Sequence, residues 1–395
     1  MSASTITGSV PLVERVRERL ASTGAEITAS VVAEAVRAEA GGVVSDVDVL
    51  AALRHLAQEF TGAGPLEPLL RDPKTTDVLV TGPDSVWVDR GAGLERSTIH
   101  FADEASVRRL AQRLALAAGR RLDDASPYVD ARLPDSGVRL HAVLAPIAAD
   151  GTCVSLRTLR PAAHDLGALR RFDTLTDTSL RILRAIIAAR LAFLVAGGTA
   201  SGKTTLLSAM LGAVPPGERI LCVEDAEELR PAHPHVVRLV ARPPNVEGAG
   251  EVTLRELVRQ ALRMRPDRLV IGEVRGAEVC DLLAALNTGH EGGAGTVHAN
   301  SSAEVPARLE ALAALGGMSR SALHSQLAAA VQVLLQVRRD GEGPRRLDTV
   351  AVLSREPSRD GEVVACPVWE RSRGWTPERH RLGALLERRA VPPPW

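Results

Sequence analysis

A glycine-rich stretch in the middle of the chain has the residue types and spacing needed to hold phosphate. It consists of Gly197, Gly198, Thr199, Ala200, Ser201, Gly202, Lys203 and Thr204, followed by Thr205. These residues fit the pattern GxxxxGK[ST], with an apolar run at 191–195 before them and a helix-forming run at 204–208 after them. Backbone N–H groups and the positive end of a helix then form an anion cradle. We predict nucleotide binding at 197–205, with Lys203 on the β- and γ-phosphates and Thr204 on Mg²⁺.

The composition makes the lysine of this stretch informative. Lysine and arginine together number 48, but only Lys74 and Lys203 are lysines. The alternative interpretation is a glycine-rich turn that happens to contain a lysine. That interpretation leaves the apolar run before it and the helical run after it unexplained, so the nucleotide-binding interpretation is favoured.

Acidic residues follow two later apolar runs. Glu273 comes directly after residues 268–272, and Glu224 comes after 220–223, with Glu228 a few residues further on. In open α/β sheets ligands bind at the carboxyl ends of the strands, so these acids are expected near the phosphates. A phosphate loop needs one acid on the metal side and one group that polarises water. Each acid alone could be an ordinary surface carboxylate, but their joint placement favours a functional role.

The third feature is a glycine-rich segment at 288–300 that contains a histidine. Its glycines would let the backbone flex or approach a ligand closely, and His298 ends a short β-like run within it. His298 could sense the γ-phosphate. A lone histidine is more often structural, so this residue depends on the others for its interpretation.

The elements that must position these residues fall into five segments. Residues 1–58 are predicted to be a helical extension, and 59–160 an α+β domain whose turn at 82–84 joins two strands as a hairpin. Residues 161–180 are predicted to be a linker. Residues 181–345 alternate strands with helices, including a helical region at 303–335, and this alternation predicts a parallel sheet. Residues 346–395 are a tail with short β-like runs.

Charge and cysteine usage exclude several classes of protein. The net charge is zero and aromatic residues make up 2% of the chain, so no basic surface or stacking platform for nucleic acid is evident. The four cysteines lack metal-binding spacing, which favours a reducing compartment. The N-terminus does not have the pattern of a signal peptide, and the longest apolar stretch, at 185–198, is interrupted by Arg190. We expect a cytoplasmic protein that associates peripherally with the membrane through partners.

Four stretches, in order, resemble the secretion ATPase superfamily, the motors of type II and type IV secretion and of type IV pili. GGTASGKTT resembles its Walker A motif, VEDAEEL its Asp box, LVIGEVRG its Walker B motif and GHEGGAGTVHAN its His box. The spans at 130–146 and 235–268 are similar to the CpaF/TadA branch, which powers Flp-type pili. Actinobacterial members of that branch are often labelled conjugal-transfer-associated ATPases. The resemblance covers about residues 60–340.

The resemblance implies an α/β fold with a C-terminal RecA-like ATPase domain, an N-terminal α+β (PAS-like) domain and a helical extension. It implies a hexameric ring with ATP and Mg²⁺ held between the two domains, working on inner-membrane platform proteins of a Tad or secretion system. By position, Glu224 is the water-activating acid, Glu273 the Walker B acid and His298 the sensor, and Glu228 lies with Glu224 in the Asp box.

The resemblance also implies that arginines of the N-terminal domain act as charge clamps. The positions that match are Arg139, Arg157 and Arg132. A planar guanidinium suits charge that is spread over several phosphate oxygens. In an arginine-rich chain, an exposed surface charge is the alternative for each of them.

The sequence departs from the family pattern at Ala200, where glycine is usual, and at Glu291 and Gly293. None of these changes removes a chemical group assigned above. Two rival functions remain open: a conjugation or DNA-transfer ATPase of the same fold, and a nucleotide-binding scaffold with negligible turnover. The presence of Lys203, Glu224 and Glu273 argues against the scaffold.

Overall fold

The computed structural model describes two compact units, Met1–Arg160 and Pro161–Trp395. The described residues are 16, 19, 29–39, 62–91, 93–134, 136–158, 164–245, 248–287, 289, 291–339, 343–356 and 361–395. The predicted helical extension at 1–58 lies mostly outside them. Within that extension, helix α1 spans Ala29–Glu39.

The first unit contains an antiparallel sheet of six described strands in the order β3-β2-β1-β6-β5-β4. Its elements are α2 (Glu67–Arg71), β1 (Asp77–Thr81), β2 (Val86–Asp89), β3 (Leu94–Arg96), α3 (Glu104–Ala117), β4 (Tyr128–Arg132), β5 (Arg139–Val143) and β6 (Cys153–Arg157). The predicted hairpin is confirmed, because β1 pairs antiparallel with β2. Asp103 caps α3 by accepting the N–H of Ser106 at 2.7 Å. Buried residues at helical spacing, from Val107 to Ala115, turn one face of α3 toward the core.

The second unit is built on a sheet of nine described strands in the order β15-β14-β13-β12-β7-β11-β10-β8-β9. Its strands are β7 (Phe193–Ala196), β8 (Ile220–Glu224), β9 (Val236–Val240), β10 (Arg268–Val274), β11 (Ala294–Val297), β12 (Val333–Arg339), β13 (Arg345–Glu356), β14 (Glu362–Glu370) and β15 (Gly374–Trp375). Its helices are α4 (Leu166–Arg171), α5 (Asp177–Ala188), α6 (Lys203–Gly212), α7 (Leu254–Ala261), α8 (Glu278–Leu286), α9 (Val305–Leu315), α10 (Arg320–Ala330) and α11 (Arg379–Glu387). The run from β12 to β9 is parallel, and β13 to β15 extend it antiparallel.

The parallel strands are apolar on both faces because helices cover both sides of the sheet. In β7, Phe193 and Val195 join one hydrophobic cluster, whereas Leu194 and Ala196 join the other. All four residues are buried. This central position holds the end of β7 in place, and the predicted strand, loop and helix around the phosphate loop are confirmed.

Two expectations about the second unit are wrong. Residues 333–335 are not helical, because Val333 begins β12, which pairs in parallel with β7. The apolar run there is buried on both faces, and such a run does not distinguish a strand from a buried helix by periodicity. The tail expected from 346 is not separate either, since β13 crosses that boundary and continues the sheet.

The predicted linker at 161–180 also contributes to the core where the structure describes it. Residues 161–163 lie outside the described part of the chain. After them α4 forms, and Leu166, Leu169 and Leu175 are buried in the same hydrophobic cluster as β7. A short segment with few apolar residues looks like a linker in sequence, but here those few residues anchor it to the second unit.

Candidate nucleotide site

The phosphate loop connects the carboxyl end of β7 to the first residue of α6. Gly202 precedes the helix with φ +99°, a conformation that glycine adopts without strain. Gly197 has no room for a side chain, because a Cβ there would lie 2.5 Å from the Val337 carbonyl oxygen and from Ser201 Oγ. Ala200 adopts φ +58°, so the residue that departs from the family pattern carries left-handed backbone strain.

Lys203 is buried above the loop, with 8% of its surface exposed. Its Nζ donates to the carbonyl oxygens of Gly197 at 3.1 Å and Gly198 at 2.9 Å. Burial lowers the pKa of Lys203, whereas the charges of Glu273 and Glu228 act in the opposite direction. The carbonyl oxygens of the loop therefore hold the Lys203 ammonium group, and the same loop would bind a phosphate.

Glu273 and His298 meet beside this lysine. His298 Nε2 lies 2.5 Å from Glu273 Oε1, and both ring nitrogens lie 3.5 Å from Lys203 Nζ. Both side chains keep about a third of their surface exposed, 31% for Glu273 and 38% for His298. Three residues predicted from separate stretches thus form one cluster that solvent can reach.

Glu224 lies at the end of β8 and is 2% exposed. Its Oε1 accepts the backbone N–H groups of Glu228 at 3.0 Å and Leu229 at 2.9 Å, whereas its Oε2 has no partner among the described residues. Burial raises its pKa to about 7, against the opposing effect of those two N–H groups. Gly272 of β10 makes room for it, since a Cβ there would lie 2.7 Å from Glu224 Cγ. A carboxyl group with this pKa can exchange a proton near neutral pH.

Thr204 and Glu228 form the remaining polar pair of the loop region. Thr204 Oγ1 donates to Glu228 Oε2 at 3.3 Å, and Glu228 is exposed. Across the residues described, no group of three or more His, Cys, Asp and Glu side chains is arranged to hold a metal. One hydroxyl and one carboxylate nevertheless fit Mg²⁺, which is commonly held by one or two protein oxygens together with substrate phosphates and water.

The three predicted arginines lie in one row across the sheet of the first unit. Arg132 is directly opposite Arg139, and Arg139 is directly opposite Arg157. Directly opposite residues point to the same face, so the register gathers three cations there. Arg139 binds Asp130 through two hydrogen bonds, at 2.7 and 3.1 Å, and Arg157 binds Asp77 at 2.9 Å.

Two arginines near the loop were not predicted. Arg345, the first residue of β13, donates from Nε to the Ala200 carbonyl oxygen at 3.0 Å. Arg308 of α9 lines a cavity of about 350 Å³. The other lining residues are Gly198, Thr199, His298, Ala299, Asn300 and Glu304. In the sequence the only signal for Arg345 is the pair of Arg-Arg dipeptides at 338–339 and 345–346.

The phosphate loop after a central parallel strand, with acids at the ends of neighbouring strands, defines a RecA-like nucleotide-hydrolysing domain. A family model described as "Type II/IV secretion system protein" matches residues 59–351. The chain belongs to this family, and it is an ATPase.

A Mycobacterium tuberculosis (strain H37Rv) protein whose name refers to conjugal transfer is 65% identical over 353 residues, covering 88% of this chain and 99% of that protein. The type IV secretion system protein PtlH of Bordetella pertussis is 34% identical over 310 residues, covering 71% of this chain and 91% of PtlH. The crystal structure of the pilus retraction motor PilT with bound ADP is 19% identical, with a TM-score of 0.53 and coverage of 82% and 87%, which shows a shared fold.

A helix that crosses a bilayer must be both long and apolar. In the part of the chain that the structure describes, no helix is both long enough and apolar enough to span a membrane.

Proposed function

We propose that this ATPase is a hexameric motor that uses ATP and Mg²⁺ at residues 197–205 to power Flp/Tad-type pilus assembly or type II/IV secretion, acting through platform proteins of the inner membrane. The observation that carries the proposal is the cluster of Lys203, Glu273 and His298, with Glu224 buried nearby. Lysine, a water-activating acid and a phosphate sensor are the parts that phosphoryl transfer to water requires.

Each residue of the cluster has a distinct role in this proposal. Lys203 binds the β- and γ-phosphates, and Thr204 and Glu273 would hold Mg²⁺, which would supply positive charge to the phosphate oxygens, with Glu228 hydrogen-bonded to Thr204. Glu224 takes the proton of the attacking water, since a carboxyl with a pKa of about 7 is half ionised at neutral pH. Glu273 orients His298 toward the γ-phosphate, and as the Walker B acid it also acts on the metal side.

The arginine row of Arg132, Arg139 and Arg157 is proposed to supply further cations to the phosphates. Some guanidinium groups stabilise charge that develops in the transition state. Removing such a group lowers turnover more than it lowers nucleotide affinity. Arg139→Ala should therefore reduce kcat by on the order of tenfold or more and change ADP affinity little. Equal loss of ADP affinity and kcat would assign Arg139 to ground-state binding instead.

The test of the ATP site uses the only two lysines of the chain. Lys203→Ala should abolish ATP hydrolysis, whereas Lys74→Ala, which removes an exposed lysine of the first unit, should leave it unchanged. Normal hydrolysis by Lys203→Ala would overturn the assignment of the loop. The ring is tested separately, by measuring the mass of the assembly with ATP and Mg²⁺; a strict monomer at high concentration would contradict it.

A conjugation or DNA-transfer role is the second candidate, and one observation favours it. The mycobacterial relative named for conjugal transfer matches 99% of its own length at 65% identity. The zero net charge and the scarcity of aromatic residues argue against direct DNA handling. Stimulation of ATP hydrolysis by single- or double-stranded DNA would support this candidate, and stimulation only by a membrane platform protein would support the pilus or secretion motor.

A further inference from the structure

Four arginines stand at the end of the hairpin that β12 and β13 form. Arg338 and Arg339 end β12, and Arg345 and Arg346 begin β13. The antiparallel register places Arg339 directly opposite Arg345, and Arg338 directly opposite Arg346. Because successive side chains point to opposite faces, Arg339 and Arg345 share one face, and the other two share the opposite face.

The two faces differ in what they contact. On one face Arg346 is paired with a carboxylate, since its Nη2 lies 3.3 Å from Asp173 Oδ2, and Arg371 binds the other oxygen of Asp173 at 2.7 Å. This arrangement is an ordinary exposed ion-pair network, which contributes little to stability.

The face of Arg339 and Arg345 lies against the phosphate loop. Arg345 Nε donates to the Ala200 carbonyl oxygen at 3.0 Å, and a Cβ added to Gly202 would lie 3.0 Å from Arg345 Cδ. Arg339 Nε donates to the Gly343 carbonyl oxygen at 3.2 Å. The described residues do not include 340–342. Among the described residues, no carboxylate forms an ion pair with either arginine.

Like charges directly opposite each other in an antiparallel pair are destabilising. Partial loss of hydration, followed by the charge of Arg339, lowers the pKa of Arg345, although its side chain still reaches solvent. Only one N–H group of Arg345 is used by the loop, and a guanidinium carries five. An anion at the loop would relieve the repulsion and accept the remaining N–H groups.

We propose that Arg345, with Arg339 beside it, binds the α,β-diphosphate of the nucleotide from the β12–β13 side of the loop. This inference rests on the proposed ATP site and adds a phosphate-binding residue from a part of the chain outside the four sequence motifs. Ala200 and Gly202 belong to the stretch of a phosphate loop that cradles the α- and β-phosphates. The contact is therefore present with ADP as well as with ATP, unlike a contact to the γ-phosphate.

The test is calorimetric titration of the full chain with ADP and with ATP, each with Mg²⁺. Arg345→Ala should weaken both by a similar factor, about 10- to 100-fold, which is the range expected for a charge-assisted hydrogen bond. Arg345→Lys keeps the charge but not the guanidinium fork, so it should recover part of the affinity and bind at least about threefold more tightly than Arg345→Ala. The matched control is Arg346→Ala, which removes the neighbouring arginine of the opposite face and should change neither affinity.

A role limited to supporting the loop gives a different result. Support depends on the hydrogen bond from Nε to the Ala200 carbonyl, which lysine does not reproduce, so Arg345→Lys would then be as weak as Arg345→Ala. That outcome, or an Arg345→Ala affinity within twofold of the parent, overturns the inference. Thermal unfolding without nucleotide verifies that each variant is folded. If the parent chain binds neither nucleotide, the proposed ATP site fails instead.

Discussion

The second unit contains two glutamate–histidine pairs whose surroundings differ. In the first, at the phosphate loop, His298 Nε2 lies 2.5 Å from Glu273 Oε1, and both side chains are about a third exposed. In the second, His324 Nε2 lies 2.7 Å from Glu310 Oε1, and His324 is buried. The two pairs have the same chemistry and nearly the same separation, so their difference comes from what surrounds each histidine.

Both ring nitrogens of His324 form hydrogen bonds within the protein. Its Nδ1 accepts the backbone N–H of Val363 at 2.8 Å, so Nε2 must carry the proton that is donated to Glu310. Arg320 also binds Glu310, at 3.2 Å, and Glu362, at 2.6 Å. This arrangement ties α9, α10 and β14 together and leaves the histidine no hydrogen bond to give to a ligand.

The imidazole of His298, in contrast, faces a lysine and a cavity. Both ring nitrogens are 3.5 Å from Lys203 Nζ, and the ring lines the cavity that also contains Gly198 and Thr199. The Nδ1 of His298 is held by no closer contact than the 3.5 Å to Lys203 Nζ, so it can change partner when a phosphate arrives. The second nitrogen therefore separates the two pairs, because that of His324 is held by Val363 whereas that of His298 faces Lys203 and the cavity.

The largest effect is expected from Glu273→Gln. Removing this charge leaves His298 without its carboxylate and the metal side without its Walker B acid, so kcat should fall on the order of 100-fold or more. Glu310→Gln, the same substitution in the second pair, should leave kcat within about twofold. Steady-state ATP hydrolysis measures both, and nucleotide should remain bound to Glu273→Gln. Rapid turnover by Glu273→Gln would remove the functional distinction between the two pairs.

The raised pKa of Glu224 predicts how ATP hydrolysis at the phosphate loop depends on pH. With its pKa raised to about 7, ATP hydrolysis should rise with pH through that value, because the base must be ionised. Glu224→Gln should lose that rise together with most of the activity. A pH profile of the parent that is flat between pH 6 and 8 would contradict the role of Glu224 as base.

The same Glu224 carboxyl group also makes the stability of the fold depend on pH. Stability falls as pH rises, whereas ATP hydrolysis rises. Between its ordinary value of 4.5 and about 7, Glu224 is protonated in the folded chain and ionised in the unfolded chain. Stability is therefore lost as pH rises through this window, by on the order of 3 kcal/mol. Glu224→Gln should remove that loss and raise the free energy of unfolding at pH 8, as measured by urea denaturation.

His324→Ala should affect stability and leave catalysis unchanged. It leaves the Val363 N–H without a partner and leaves Glu310 with Arg320 alone, and the expected loss is about 2 kcal/mol. His298→Ala, the matched change at the loop, should cost less than about 1 kcal/mol because that side chain is partly exposed, but it should reduce kcat. If both variants lowered Tm equally and neither reduced kcat, the two pairs would be equivalent and the comparison would fail.

Much of the nucleotide site could be predicted because its parts are local. Lys203, Glu224, Glu273 and His298 each follow an apolar run, and parallel strands bring their carboxyl ends to one edge of the sheet. The structure places His298 2.5 Å from Glu273 and 3.5 Å from Lys203 Nζ, so the histidine joins the other two residues. Their catalytic roles remain predictions.

What could not be predicted depends on pairing between distant segments. Arg345 reaches the loop only because β13 adds to the sheet beside β12, and no local pattern at 345–356 indicates its partner. The row of Arg132, Arg139 and Arg157 depends on strand register, which a single sequence does not determine in irregular hairpins. Periodicity also failed at 333–335, where a strand buried on both faces resembles a helix.

The smallest effect concerns the strained residue of the phosphate loop. Ala200 has φ +58°, which costs a non-glycine residue about 1 kcal/mol or more, and Ala200→Gly removes this strain. Glycine also increases the freedom of the unfolded chain, which offsets about 0.4 to 1 kcal/mol of the gain. The net change in the free energy of unfolding should therefore be under about 1 kcal/mol, with kcat within about twofold.

The matched control for this change is Ala213→Gly, at the end of α6, where φ is −94° and glycine relieves no strain. That variant should lose stability while Ala200→Gly does not, since only the entropy of the unfolded chain changes. If the two variants lose equal stability, Ala200 stores no strain. The loop would then differ from the Glu310–His324 pair in its access to ligand and not in backbone strain.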